Sequence, residues 1–230
     1  MPQKILVITP LQEEYDDLYH SLSALGLKSH KERIGKLDTH CFPEINARLA
    51  RGGHGKTQFG IQTQHLLDHS QFELVICAGA AGALAPEVKV GDVIIATSTL
   101  EHDYNNKFSN RPKPRFAGDT KSIEQIKALN LSSADFKVHF GIMAGGDEDV
   151  IDIQRGKELR ELWDALAVAW EGVGGARACA FSDVPYLEIR GATDTADHEA
   201  PVVFYINLKV VMKNIAYLLI RWLQNSDNPS

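Results

Sequence analysis

Three carboxylates stand where an apolar run gives way to small or polar residues. Glu14 follows Ile5-Leu6-Val7-Ile8-Thr9 and Pro10, Glu171 ends Ala167-Val168-Ala169-Trp170, and Asp194 follows Tyr186-Leu187-Glu188-Ile189 by way of Arg190, Gly191, Ala192 and Thr193. Short, continuously apolar runs read as buried strands, and in open α/β sheets ligands lie beyond the carboxyl ends of the strands. The three acids are therefore candidates for acid–base chemistry or for stabilising positive charge. A structural reading stands beside this one. Asp194 and Asp197 could be N-caps of the next helix, and Glu13 and Glu14 first-turn acids at a helix dipole, worth about 0.3–1 kcal/mol each. Arg190 could simply pair with a neighbouring acid, and Trp170 could lie partly in the core.

Other chemistries are poorly supported. Gly52-Gly53-His54-Gly55-Lys56-Thr57 ends like a phosphate-binding loop, but that motif also needs a glycine at position 50, where the chain has Ala50. No histidine pair has the His-Glu-x-x-His spacing of a metal site, so neither metal nor cofactor is expected. With 24 Lys+Arg against 30 Asp+Glu the net charge is -6, which disfavours nucleic acid as a partner. Cys41, Cys77 and Cys179 are three widely separated thiols in apolar surroundings, and Met1-Pro2-Gln3-Lys4 has no signal-peptide pattern; both point to the cytoplasm. Val202 to Leu223 is rich in apolar residues but is interrupted by Asn207, Lys209, Lys213, Asn214 and Arg221, so a core helix is expected rather than a membrane span.

The elements that must position these residues alternate along the chain. Strands are expected at 5–9, 74–84, 90–96, 138–144 and 186–189, with two or three antiparallel strands between Lys28 and Arg51. Helices are expected from Gln12 to Leu25, from the glycine turn to Leu67, at 121–129 and at 154–166. Asn105 to Asp119 has the composition of a loop. Gly172-Val173-Gly174-Gly175 leads toward a helix although glycine costs about 1 kcal/mol per residue there, so a close-packed helix or ligand must favour it. The alternation predicts one α/β domain over 1–225 with a central mixed, largely parallel sheet flanked by helices, and a short polar tail at 226–230.

In order, Ile5 to Glu14, Gly53-His54-Gly55-Lys56, Ala78 to Pro86 with Val90-Gly91-Asp92, Trp170-Glu171-Gly172 and Arg190 to Asp197 give a pattern spanning nearly the whole chain. It resembles the purine nucleoside phosphorylase and uridine phosphorylase superfamily, and within it most of all the methylthioadenosine/S-adenosylhomocysteine nucleosidases. The resemblance implies that superfamily's three-layer fold, a nucleoside substrate and hydrolysis of its N-glycosidic bond. By matching position, Asp194 is the acid serving the purine N7, beside Thr193. Glu171 grips the ribose hydroxyls, with Trp170 along the sugar, and Glu14 activates water with Arg190 orienting it. Ala80 and Gly82 of the small-residue turn border the substrate, and Asp149 and Val150 border the base. In this chain Ala80 stands where the family has a water-holding serine, and Asp149 where the nucleosidases have an aromatic.

Water is favoured over phosphate on charge. The phosphorylases carry an arginine in the strand matching Leu74 to Ala78, which this chain lacks, and a carboxylate at Glu14 would repel a phosphate dianion. A phosphorylase, a futalosine-type hydrolase and a non-catalytic nucleoside sensor remain as alternatives. The resemblance also implies a homodimer, with His102 to Phe108 completing the partner's pocket.

Overall fold

The computed structural model describes residues 5–226, so Met1 to Lys4 and positions 227–230 of the expected polar tail lie outside it. The chain opens with β1 (Ile5–Thr9) and α1 (Gln12–Ala24). A meander of β2 (His30–Ile34), β3 (Leu37–Phe42) and β4 (Ala47–Arg51) follows, antiparallel within itself, and β4 lies parallel along β1. β2 forms one end of the sheet order, and its charged His30-Lys31-Glu32-Arg33 suits an edge that must not recruit another strand.

α2 (Lys56–His69) leads to β5 (Leu74–Ala83), β6 (Val93–Glu101) and β7 (Arg115–Ala117). The small-residue run Ala78–Ala83 closes β5, as the sequence led one to expect, and two other expectations change here. β6 starts at Val93 because Gly91 turns at φ +94 and the Asp92 carboxylate takes the Lys89 and Lys137 amides, and it then runs on to Glu101. Part of the expected loop is β7, which pairs with β6.

α3 (Thr120–Lys127), capped by the Asp119 carboxylate, precedes β8 (Val138–Gly145) and α4 (Ile153–Trp163). α4 stops short of Leu166 because Asp164 turns left-handed at φ 53, which frees Ala165 to begin β9 (Ala165–Ala169). α5 (Gly172–Phe181), β10 (Tyr186–Asp194) and α6 (Ala200–Ser226) complete the chain, and Ser226 belongs to α6 rather than to a tail. β10 does not end at Ile189. It stays extended through Gly191, where any Cβ would fall 2.2 Å from Val211 of α6.

Among the described residues the sheet is mixed, with five parallel and five antiparallel pairings. β5, β10, β6, β8 and β9 pair in a ring, because β9 returns antiparallel to the end of β5. The alternation of side chains across the pleat gives each face of the sheet its own helices. Val7, Ile76 and Ile189 pack with Leu18 and Leu22 of α1 and with Val211, Ile215 and Leu219 of α6. Leu6, Ile8, Val75 and Cys77 pack with Phe59 and Leu66 of α2 and with Ala176 and Cys179 of α5. α6 is long and apolar enough to cross a membrane, but Leu208, Val211, Met212, Ile215, Leu218, Leu219 and Trp222 are buried in this core.

The glycines of α5 serve its contact with α2. A Cβ on Gly174 would fall 2.1 Å from the Lys56 carbonyl oxygen and 3.0 Å from the Gly60 nitrogen, both backbone atoms that cannot yield without moving a helix. Gly174→Ala should destabilise the protein by about 1–3 kcal/mol, toward the upper end of the overpacking range. Denaturant unfolding measures it, and an unchanged midpoint would contradict the close contact.

Candidate active site

Arg190 projects from the middle of β10 and is 1% exposed. Its Nε donates to Glu188 Oε1 at 2.8 Å and its Nη1 to the Ala80 carbonyl at 3.1 Å, while Nη2 faces Cys77 Sγ at 3.4 Å and Glu171 Oε2 at 3.5 Å. The other Glu188 oxygen accepts the Thr99 hydroxyl at 2.6 Å. Burial works against the guanidinium charge, but Cys77, Glu188, Glu171 and Glu14 together hold its pKa well above the ordinary arginine value.

Glu14 meets this group from the start of α1. Its Oε2 accepts the Leu11 amide at 2.8 Å, so the structural reading of a helix-start acid is correct, and its Oε1 accepts the Ala80 amide at 2.7 Å. Gly79 makes the approach possible, since a Cβ there would lie 2.7 Å from both Arg190 Nη1 and Glu14 Oε1. Burial pushes Glu14 up to about 7; Arg190 opposes the rise, Glu171 adds to it, and the two amides oppose it. A carboxylate poised near neutrality is suited to accept a proton from water.

Glu171, at the N-terminus of α5, is 5% exposed and accepts the Gly55 amide at 3.3 Å. His54 Nδ1 lies 3.3 Å from the same oxygen, and its ring stacks on Trp170 with centroids 4.5 Å apart. Asp194 ends β10 at 7% exposure, its Oδ2 accepting the Thr193 hydroxyl at 2.8 Å and its Oδ1 the Ala196 amide at 2.9 Å. Asp197 takes only the local Glu199 amide and Thr195 hydroxyl, a turn role in keeping with its reading as a cap.

All of these carboxylates except Glu188 and Asp197 line one cavity of about 380 Å³, within the size range of small-molecule sites. The ten residues to which the sequence assigned catalysis or substrate contact all line it: Glu14, Ala80, Gly82, Asp149, Val150, Trp170, Glu171, Arg190, Thr193 and Asp194; Asp197 and the 102–108 segment do not. Sequence reasoning gave no role to Glu188, Thr99, His54, Phe204 or Tyr205. Glu188 left a signal, since an acid two residues before Arg190 in a buried strand puts both charges on one face. Phe204 and Tyr205 left none, because their place on the cavity depends on how α6 docks. Among the described residues, the cluster approaching metal-ligand geometry is His30, Glu32 and Cys41 at the β2 edge, where Arg48 Nε already holds Glu32 at 2.8 Å.

Residues 4–223 match the family described as the Phosphorylase superfamily. The chain belongs to this superfamily. It is 30% identical, over 93% of both chains, to the 5'-methylthioadenosine/S-adenosylhomocysteine nucleosidase of Tolumonas auensis. The S. pneumoniae nucleosidase, solved with a transition-state inhibitor, is 26% identical and superposes with a TM-score of 0.83 over 96% of this chain and 98% of its own. The futalosine hydrolase of Helicobacter pylori, at 22% identity, shares the fold with a TM-score of 0.85 over 98% and 99% of the two chains. The superfamily's three-layer arrangement is thus the one that the sequence predicted.

Membership leaves the site's own physics to be tested. Glu14 holds its proton up to about pH 7, against 4.5 for an ordinary glutamate, so the native state binds that proton more tightly than the unfolded chain. The stability this contributes is complete below pH 4.5 and is lost as pH rises through 7. Wild type should therefore lose stability relative to Glu14→Gln between pH 4.5 and 7.5. Paired denaturation curves across that range check the sign, and a constant difference would refute the raised value.

Proposed function

We propose that this protein hydrolyses the N-glycosidic bond of a purine nucleoside of the methylthioadenosine or S-adenosylhomocysteine type, releasing the free base and the ribose moiety. The occupancy of Arg190 carries this reading. Its guanidinium is engaged by Glu188, the Ala80 carbonyl, Cys77 and Glu171, and the buried Glu14 carboxylate lies beside it. A phosphate dianion would have to strip those bonds and approach a carboxylate, whereas neutral water needs only an acceptor.

In this reaction Asp194 gives a proton to N7 of the departing base, and the Thr193 hydroxyl orients the carboxyl group. Glu171 accepts the ribose hydroxyls and stabilises the oxocarbenium-like sugar, which lies along the His54–Trp170 stack. Glu14 draws the proton from water attacking the opposite face, and Arg190 fixes the carboxylates of this cluster. Ala80 and Gly82 leave room beside the sugar. Asp149 and Val150 border the base; the Asp149 carboxylate offers an acceptor to an exocyclic amine, and the Val150 backbone offers hydrogen bonds to the ring edge.

The deciding experiment is release of free base from a panel of 5'-thio purine nucleosides and futalosine, each with and without phosphate. Release without phosphate supports the hydrolase, and release only with phosphate overturns it. Asp194→Asn should lower turnover by about 10²–10⁴-fold while the variant still binds nucleoside. A variant with normal turnover would remove Asp194 from the acid role.

The reading includes work in the cytoplasm, with which three buried cysteines outside any disulfide agree, and assembly as a homodimer. Val202, Tyr205, Ile206 and Val210 leave an apolar stretch of α6 exposed, continuous with Tyr205 at the cavity, and Phe108 is fully exposed on the 102–108 segment. Sedimentation equilibrium should give twice the chain mass, and Ile206→Glu should return it to the single-chain value.

A further inference from the structure

His102 follows β6 and packs on Gly146, just beyond β8. Its side chain is fully enclosed, and neither ring nitrogen has a hydrogen-bond partner. A Cβ on Gly146 would fall 2.5 Å from Nε2, so the glycine makes room for the imidazole. On the other side of the ring, Nδ1 lies 3.5 Å from Glu148 Oε2. That carboxylate is gripped by Arg155, with Nε 2.7 Å from Oε1 and Nη2 2.8 Å from Oε2. Glu148 lines the cavity together with Asp149, Val150 and Ile151. An enclosed imidazole with two idle nitrogens is costly, and the nearest carboxylate is a short movement away.

We propose that His102 is a positioning residue for the base side of the cavity. Glu148 has two alternative holders, Arg155 and His102, and protonation of His102 transfers the carboxylate from the guanidinium to the imidazolium. Losing the Arg155 fork loosens the wall from Glu148 to Ile151 and weakens nucleoside binding. The effect on binding rests on the nucleosidase reading; the exchange of partners does not.

The charges facing His102 agree with such a switch. Burial, the largest influence, holds it below the ordinary value of 6.5; Glu148 and Asp103 favour the cation, and Arg155 and Lys113 oppose it. Lys113 Nζ donates to the His102 carbonyl at 2.6 Å, and Lys56 Nζ neutralises Asp103 at 2.6 Å. His102 is therefore neutral at pH 7.5 and gains its proton only on the acid side.

The test has two arms. In the first, KM for the cleaved purine nucleoside is measured from pH 7.5 to 5.5 in wild type, His102→Gln, Glu148→Gln and the double variant. Wild type should show a rise of about five-fold or more on acidification, the low end of a typical coupling. Both single variants should flatten that rise, and the double variant should flatten it no further. In the second, NMR follows the His102 ring: it should titrate below the ordinary histidine range in wild type, and Glu148→Gln should lower the midpoint further. Glu148→Gln, at a partly exposed site, keeps both arms standing where His102→Gln does not fold. Identical KM profiles in wild type and Glu148→Gln, or a His102 midpoint unmoved by Glu148→Gln, would overturn the proposal. If no purine nucleoside is cleaved, the functional reading fails on its own and the NMR arm decides the exchange.

Discussion

Arg190 places a guanidinium almost wholly out of solvent, and such a charge persists only if carboxylates meet it with good geometry. Glu188 meets it from the same strand and Glu171 from the start of α5. The second of these contacts depends on the closure of the sheet. β9 runs against β5, with Val168 opposite Gly82, so the chain that leaves β9 is carried back past the small-residue end of β5 toward Arg190. In a flat sheet the end of β9 would point away from the ends of β1, β5 and β10. The ring of strands, the glycine at position 79 and the packing of α5 on α2 are thus parts of one requirement, which is to bring three chain segments to one buried cation.

Glu14 carries the cost of that arrangement. Arg190 is already engaged by Glu188 and Glu171, so the pull it has left does not offset the burial of a third carboxylate, and Glu14 retains its proton to about pH 7. A glutamate chosen for stability would sit in water or hold a full partner. Stability given up in this way is a common mark of a site selected for function. The same imbalance makes Glu14 usable as a base near neutrality, since a fully paired carboxylate would be too weak to take a proton from water.

Most of the fold was legible because continuous apolar runs, glycine stops and capping acids act locally. β1, α1 and β8 follow from a few residues each. The boundaries that sequence misplaced were set by distant parts of the chain. β10 runs through Gly191 because Val211 packs against it, and α4 ends early because Asp164 adopts a left-handed turn. The pairing of β5 with β9 left no local trace at all. Among site residues, the strand-end acids could be read from position, whereas the functions assigned to them came from the order of motifs along the chain. Phe204 and Tyr205 are cavity residues only through tertiary docking, and no pattern in α6 separates them from its other exposed apolar positions.

Ala80 bears on how much side-chain chemistry this region requires. Ala80 contributes through its backbone: its amide holds Glu14 and its carbonyl holds Arg190. Those bonds survive any side chain that leaves β5 extended, so the charge cluster draws on backbone geometry at this position. The ionisation of Glu14 therefore responds to how β5 is held against α1 and β10, and a substitution at position 80 that keeps the strand extended leaves the amide and the carbonyl where Glu14 and Arg190 need them.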